Sequence, residues 1–366
     1  MKSHYCTTII TVTIIFTLII YLLLPTLVHG EQSRYQTTII KDQINGRNNT
    51  SSSYSFPGYA NTGNNNNSIN ANTHSTNHKV VFLNFYDDAK SQITNAKPIL
   101  DKYGFKGTFF IVCDWAGAVK SQTPRMTWQN ISQLYKEGHD IESHSMTHKR
   151  LDKLSARALD YEVGESKQCL YDHLGINATV FSPPHNAGWD NATVIKTIAK
   201  YYDHSIGGFV DDVMFLHCFG WIHQQPSLGI PWLQQQKQQQ QQQISNQTDC
   251  RTYSDTGRLN FANRYDIKET SHNDLDNGYL HIDTQIFDKF VELVDSQINF
   301  NKNGTINTVP IIGYHNIDNN ETTTSTAINL FDAEMKYLHD NGFKVLTMAD
   351  LGYDENSKSL YIKGIS

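Results

Sequence analysis

Val80-Val81-Phe82-Leu83-Asn84-Phe85-Tyr86 is apolar at every position but Asn84, and it runs straight into a pair of carboxylates, Asp87-Asp88. A run of this length, rich in β-branched and aromatic residues, reads as a strand buried on both faces. The pattern returns twice. His139-Asp140-Ile141-Glu142-Ser143 leads into His144-Ser145-Met146-Thr147-His148, and Val309-Pro310-Ile311-Ile312-Gly313-Tyr314 leads into His315. Each polar group follows the carboxyl end of a candidate strand, the edge at which parallel α/β sheets and barrels build their sites. One Asp and two His make a three-ligand metal set with a position left for water.

Strand-like and helix-like segments alternate between and around these runs. Helical spacing predicts helices over residues 93–103, 128–136, 156–174, 191–200, 286–298 and 330–339, with Gly104, Gly138, Gly175 and Gly342 as stops and Asp190 as the cap of the fourth. Strands are predicted over residues 107–112, 179–181, 201–209 and 344–347. Repeated β-then-α units imply a mainly parallel sheet, open or closed into a barrel. Residues 211–277 break the rhythm and read as a surface insertion around Gln234-Gln235-Gln236-Lys237 and the glutamines at 238–243. The aromatic flanks of that tract, Phe219-Gly220-Trp221 and Pro231-Trp232, read either as packing onto the domain or as a sugar-binding rim.

The chain has 366 residues and a formal net charge of −6, with no basic stripe, so nucleic-acid binding has no electrostatic support. Residues 1–30 carry Lys2 and then an apolar stretch, which reads as a cleaved secretory signal or an uncleaved membrane anchor. Residues 31–77 are a polar Asn/Ser/Thr-rich linker, residues 78–352 the folded domain, and residues 353–366 a tail. This order places the domain outside the cytoplasm, in contact with a membrane only through its N-terminal segment. Sequons at Asn48, Asn49, Asn66, Asn130, Asn177, Asn191, Asn246, Asn303 and Asn320 agree with that location. Beyond the leader there are four cysteines, Cys113, Cys169, Cys218 and Cys250. The preferred pairing is Cys218 with Cys250 across the Gln tract, and free buried thiols are the alternative.

Taken in order, the motifs resemble those of the polysaccharide deacetylases, carbohydrate esterase family 4. That family carries Thr-Phe-Asp-Asp, His-Ser/Thr-x-x-His, an Arg-Pro-Pro-Tyr-like motif and a late Leu-His. Here they read Phe85-Tyr86-Asp87-Asp88, His144 to His148, Ser182-Pro183-Pro184-His185 and Tyr314-His315. The resemblance implies an α/β fold, a distorted (β/α) barrel with fewer than eight regular units. It also implies one divalent metal held by Asp88, His144 and His148, for which Zn²⁺, Co²⁺ or Ni²⁺ suits the donors. Asp87 would be the general base, His315 the general acid, and the backbone N–H of His185 an oxyanion donor. The implied reaction is removal of N-acetyl groups from an acetylated glycan. A non-catalytic glycan-binding protein and an O-deacetylase or small-amide hydrolase are the alternatives. Ser182 departs from the family, which has an Arg there to orient the base. The Asp that orients the acid His has no clear counterpart, with Asp203, Asp211 and Asp212 as candidates.

Overall fold

The computed structural model describes residues 79–365, apart from 121–122, 210–212, 217–263, 277–282, 302–303, 321 and 358. The leader, the linker, the Gln tract, its aromatic flanks and the Cys218–Cys250 pairing therefore lie outside the described residues, as do Asp211 and Asp212.

Eight parallel strands carry the architecture: β1 (Val80–Tyr86), β2 (Thr108–Ile111), β3 (Asp140–Ser143), β4 (Val180–Phe181), β5 (His204–Phe209), β6 (Ile267–Ser271), β7 (Ile311–Tyr314) and β8 (Lys344–Leu346). The first seven pair in chain order, and β7 returns to β1 with Phe82 opposite Ile311 and Phe85 opposite Tyr314, which closes a seven-stranded barrel. The eighth strand stays outside the ring, pairing only with the first residues of β1. Helices α1 (Lys97–Tyr103), α2 (Trp128–Lys136), α3 (Ala156–Asp160), α4 (Ser166–Leu174), α5 (Ala192–Ile198), α6 (Asp283–Ser296) and α7 (Ile328–Asp340) connect the strands. Among the described residues no helix is long and apolar enough to cross a membrane.

Strand alternation explains why β1 is apolar at every position but Asn84. Val80, Phe82 and Tyr86 pack inside the barrel with Phe110, Val180, Ile206, Ile267 and Ile311. Val81, Leu83 and Phe85 face outward against the helices, beside Leu100, Leu134, Leu170 and Phe331. Phe85 stacks on Phe109 at 4.7 Å between ring centres, and Gly107 leaves the ring its room, since a Cβ there would lie 2.7 Å from it. Truncating such a ring costs about 3–5 kcal/mol.

Four sequence expectations change. The predicted insertion ends too late, because β6 and the turn after it lie within residues 211–277 and complete the barrel. Residues 353–366 are not a loose tail: Leu351–Asp354 and Ser359–Ile362 form an antiparallel hairpin whose Leu360 and Ile362 are buried. The cap of α5 is Asn191 rather than Asp190, its side chain accepting from the N–H groups of Thr193 and Val194. The strand predicted through residue 314 also splits at Pro310, with Thr308–Val309 pairing antiparallel to Met214–Phe215.

Candidate metal centre and active site

Six non-glycine residues among those described have positive φ: Asp87, Asp88, Ser145, His148, His185 and Asn186. All lie in the turns that follow β1, β3 and β4. Left-handed backbone at such residues is costly and persists where the surroundings impose it, commonly at functional sites.

These turns bring three donor atoms together. One carboxylate oxygen of Asp87 and one ring nitrogen each of His144 and His148 lie within 4.8 Å of one another. Asp87 Oδ1 is 3.1 Å from His148 Nε2 and 3.6 Å from His144 Nε2. His144 Nδ1 lies 2.8 Å from the carbonyl oxygen of Ser182. A carbonyl can only accept, so Nδ1 carries the proton and Nε2 presents its lone pair. Burial pushes the His144 ring down to about 3, which keeps it neutral. Burial alone would raise the Asp87 carboxyl, but the imidazoles of His148, His144 and His315 around it outweigh burial and hold the group ionised. A carboxylate oxygen and two imidazole nitrogens suit a divalent cation.

Asp88 stands apart. Its carboxylate accepts the Val112 N–H with both oxygens, at 3.1 and 3.2 Å, and the residue is fully buried. The expectation that Asp88 is the ligand and Asp87 the base thus differs from the side-chain positions, which place Asp87 with the histidines and turn Asp88 into the backbone. If the second Asp of the family motif is set on Asp87, Tyr86 stands where the first one would be.

The rest of the site is braced from neighbouring elements. A π-turn, Tyr161–Glu165, interrupts the predicted long helix and aims buried Glu162 at the His144–His148 loop. Glu162 accepts the Thr147 N–H at 2.8 Å and the Thr147 hydroxyl, while its carbonyl accepts the Met146 N–H. Gln92 donates to the carbonyls of Tyr86 and His315, tying the ends of β1 and β7 together. His315 lies beside Tyr86, 5.7 Å between ring centres, and burial lowers its pKa. The His185 ring packs on His148 at 4.5 Å. On the other side Trp115 lies 4.5 Å from His148, under the Arg125 guanidinium, which also donates to the Asp87 carbonyl. Asp203 does not orient His315. It precedes β5, at the amino end of the barrel, next to Arg264.

Sequence reasoning missed Glu162, Arg125, Trp115 and Glu269. Glu269 sits inside the barrel below the histidines, accepting from Tyr86 Oη at 2.7 Å and Asn84 Nδ2 at 3.0 Å. None of these falls in a recognisable motif, and only the fold brings them to the site.

A parallel barrel with a carboxylate and two histidines gathered at its carboxyl edge defines an α/β-barrel protein with a candidate metal centre. Residues 73–204 match the family model for polysaccharide deacetylase, and the chain carries a domain of that family. It is 30% identical over 143 residues to a chitin deacetylase of Arthroderma benhamiae, covering 36% of this chain and 34% of that protein. It is 27% identical over 110 residues to a peptidoglycan-N-acetylglucosamine deacetylase of Listeria monocytogenes, covering 30% of this chain and 22% of the other. A bifunctional xylanase/deacetylase of Pseudobutyrivibrio xylanivorans matches at 27% over 126 residues, 34% of this chain and 19% of that protein. The chain thus spans less than half the length of these relatives. Among solved structures it is similar to the Xyl-CE4 domain of a multidomain xylanase from the hindgut metagenome of Trinervitermes trinervoides, with TM-score 0.43, 18% identity, and 74% and 88% of the two chains covered.

Proposed function

We propose that this protein is a divalent-metal-dependent hydrolase that removes N-acetyl groups from an acetylated amino-sugar glycan outside the cytoplasm. The observation that carries this reading is the convergence of Asp87, His144 and His148 at the carboxyl edge of the barrel. These three hold the metal, which makes Asp87 rather than Asp88 the carboxylate ligand. The fit rests on the His144 tautomer and on Asp87 Oδ1, a buried oxygen that satisfies no hydrogen bond. Zn²⁺, Co²⁺ or Ni²⁺ suits one oxygen and two imidazole nitrogens. Once bound, the metal supplies Lewis acidity toward the acetyl carbonyl and acidifies water.

The chain's own groups do the rest. The His185 backbone N–H stabilises the charge that develops on the carbonyl oxygen. Attack of water on the acetyl carbon forms a C–O bond. The C–N bond then breaks as His315 protonates the departing amine, leaving acetate and a free amino sugar. The oxidising compartment is supported by a disulfide between Cys113 and Cys169, which takes the place of the free-thiol alternative for those two residues.

A glycan-binding protein without turnover is the second reading. It is favoured by Tyr86 and Ser182 standing where the family has a base Asp and its Arg. Acetate release from chitooligosaccharides, peptidoglycan fragments and acetylated xylan, with and without chelator, separates the two. Metal-dependent release supports the hydrolase, and the preferred substrate decides between N- and O-acetyl. Glycan binding without release supports the binder.

A further inference from the structure

Within the hydrolase reading, which this inference presupposes, we propose that Glu269 is the proton acceptor of the site and that the Tyr86 hydroxyl carries the proton to it. With Asp87 among the metal ligands and Asp88 committed to the Val112 N–H, neither carboxylate of the pair remains to take a proton from the attacking water. Tyr86 occupies the base position, as the last inward-facing residue of β1. Its ring lies 5.2 Å from that of His144 and 5.7 Å from that of His315, so it lines the site between ligand and acid. Its hydroxyl donates to Glu269 Oε2 at 2.7 Å, which fixes the direction in which a proton can leave.

The surroundings of Glu269 suit an acceptor. The residue is 3% exposed, and no lysine or arginine pairs with it among the described residues. The groups that face it are Tyr86 and Asn84 of β1. Beside it on β7 lies Gly313, which has no side chain to offer. Burial with only neutral donors raises its carboxyl to about 7, where a proton is taken up and released readily near neutrality. Gly313 makes the arrangement possible, because a Cβ there would come within 3.1 Å of the Tyr86 ring and 3.3 Å of Glu269 Oε1. Ser182, in place of the family Arg, brings no charge to the surroundings of the Tyr86 hydroxyl. A guanidinium there would hold Glu269 ionised and weaken it as an acceptor.

The step balances. One O–H bond of the water breaks and its proton goes to Tyr86 Oη, while Tyr86 gives its own proton to Glu269 Oε2 and keeps one throughout. The hydroxide oxygen bonds to the acetyl carbon, the C–N bond breaks, and His315 supplies the proton of the amine. Glu269 then loses its proton to solvent and His315 regains one, so each cycle consumes only water and substrate.

Two conservative variants and one measurement independent of turnover test this. Tyr86→Phe keeps the ring and Glu269→Gln keeps the shape. Each is expected to retain metal, measured after dialysis, and to lower kcat about 100-fold or more with little change in KM. In the wild-type rate profile, the limb near pH 7 set by Glu269 should disappear in Glu269→Gln. Infrared difference spectra of the wild-type protein should show a buried protonated carboxyl band that titrates near the same pH and is missing from Glu269→Gln. Normal turnover in either metal-loaded variant, or a Glu269 carboxyl that titrates in the ordinary range, overturns the relay and leaves the hydrolase reading standing. A metal-loaded wild-type protein that releases no acetate from any glycan overturns both.

Discussion

His144 donates from Nδ1 to the carbonyl oxygen of Ser182 across 2.8 Å, which fixes the imidazole in the tautomer that leaves Nε2 bare. The partner is main chain, so the side chain at position 182 is not needed for the bond. Ser182→Ala is therefore expected to keep its metal, whereas His144→Ala should lose at least about tenfold in metal affinity. Metal content after dialysis against graded chelator checks both. Loss of metal from Ser182→Ala would show that the hydroxyl, not the carbonyl, orients the ring.

The two carboxylates of the pair are expected to separate in the same assay. Asp87→Asn removes the charged oxygen that faces both histidines and should weaken metal binding at least about tenfold, while Asp88→Asn should leave it unchanged. An asparagine at position 88 tolerates the φ of 53° and still accepts the Val112 N–H, so its stability cost should stay near about 1 kcal/mol. The reverse outcome, with metal kept in Asp87→Asn and lost in Asp88→Asn, would restore the roles first read from the sequence.

That exchange of roles marks where the sequence stops being legible. β1 and α1 could be read because a seven-residue run broken only by Asn84 and the left-handed Gly104 leave little choice. Alternation assigns sides only along extended chain, and it ends at Tyr86. Asp87 and Asp88 both have positive φ, so nothing in their spacing says which one turns to the histidines. β6 was hidden for a different reason. Its sequence, Ile267-Lys268-Glu269-Thr270-Ser271, is mostly polar, because Glu269 faces Tyr86 and Asn84 rather than an apolar layer. His144, His148 and His315 were legible because their motifs follow the carboxyl ends of strands. Glu162 was not, since its role depends on a π-turn that a helical pattern conceals.

The cysteines illustrate the same limit, because four of them allow three pairings and only the fold brings Cys113 beside Cys169. The bond joins the segment just after β2 to α4, across a sequence separation of 56. Closing a loop of that size is worth about 4 kcal/mol in the chain-entropy account. Cys113→Ser with Cys169→Ser, or reduction of the native protein, is expected to lower unfolding free energy by about 2–4 kcal/mol in urea. The metal loop should suffer too, because the Cys113 N–H donates to the Ser145 carbonyl and the neighbouring Asp114 N–H to that of Met146. An unchanged urea midpoint after verified reduction would mean that the bridge adds nothing to the fold.

Glu269 also makes stability depend on pH in a way that can be separated from activity. Its folded-state pKa, about 7, lies above the ordinary glutamate value of 4.5, so the folded protein binds the proton more tightly than the unfolded chain. The stabilisation from protonated Glu269 is fully present below about pH 4.5 and is lost as pH rises toward 7 and beyond. Each pKa unit corresponds to about 1.4 kcal/mol, which puts an upper figure of about 3 kcal/mol on the effect. Glu269→Gln, which never ionises, should therefore gain on the wild type as pH rises. The two should be close in Tm at acid pH, with the variant more stable above neutrality, even as it loses its proton acceptor. A variant that is destabilised equally at every pH would mean that Glu269 is ionised throughout and held by its two hydrogen bonds, which would also remove it as a group that takes up a proton near neutrality.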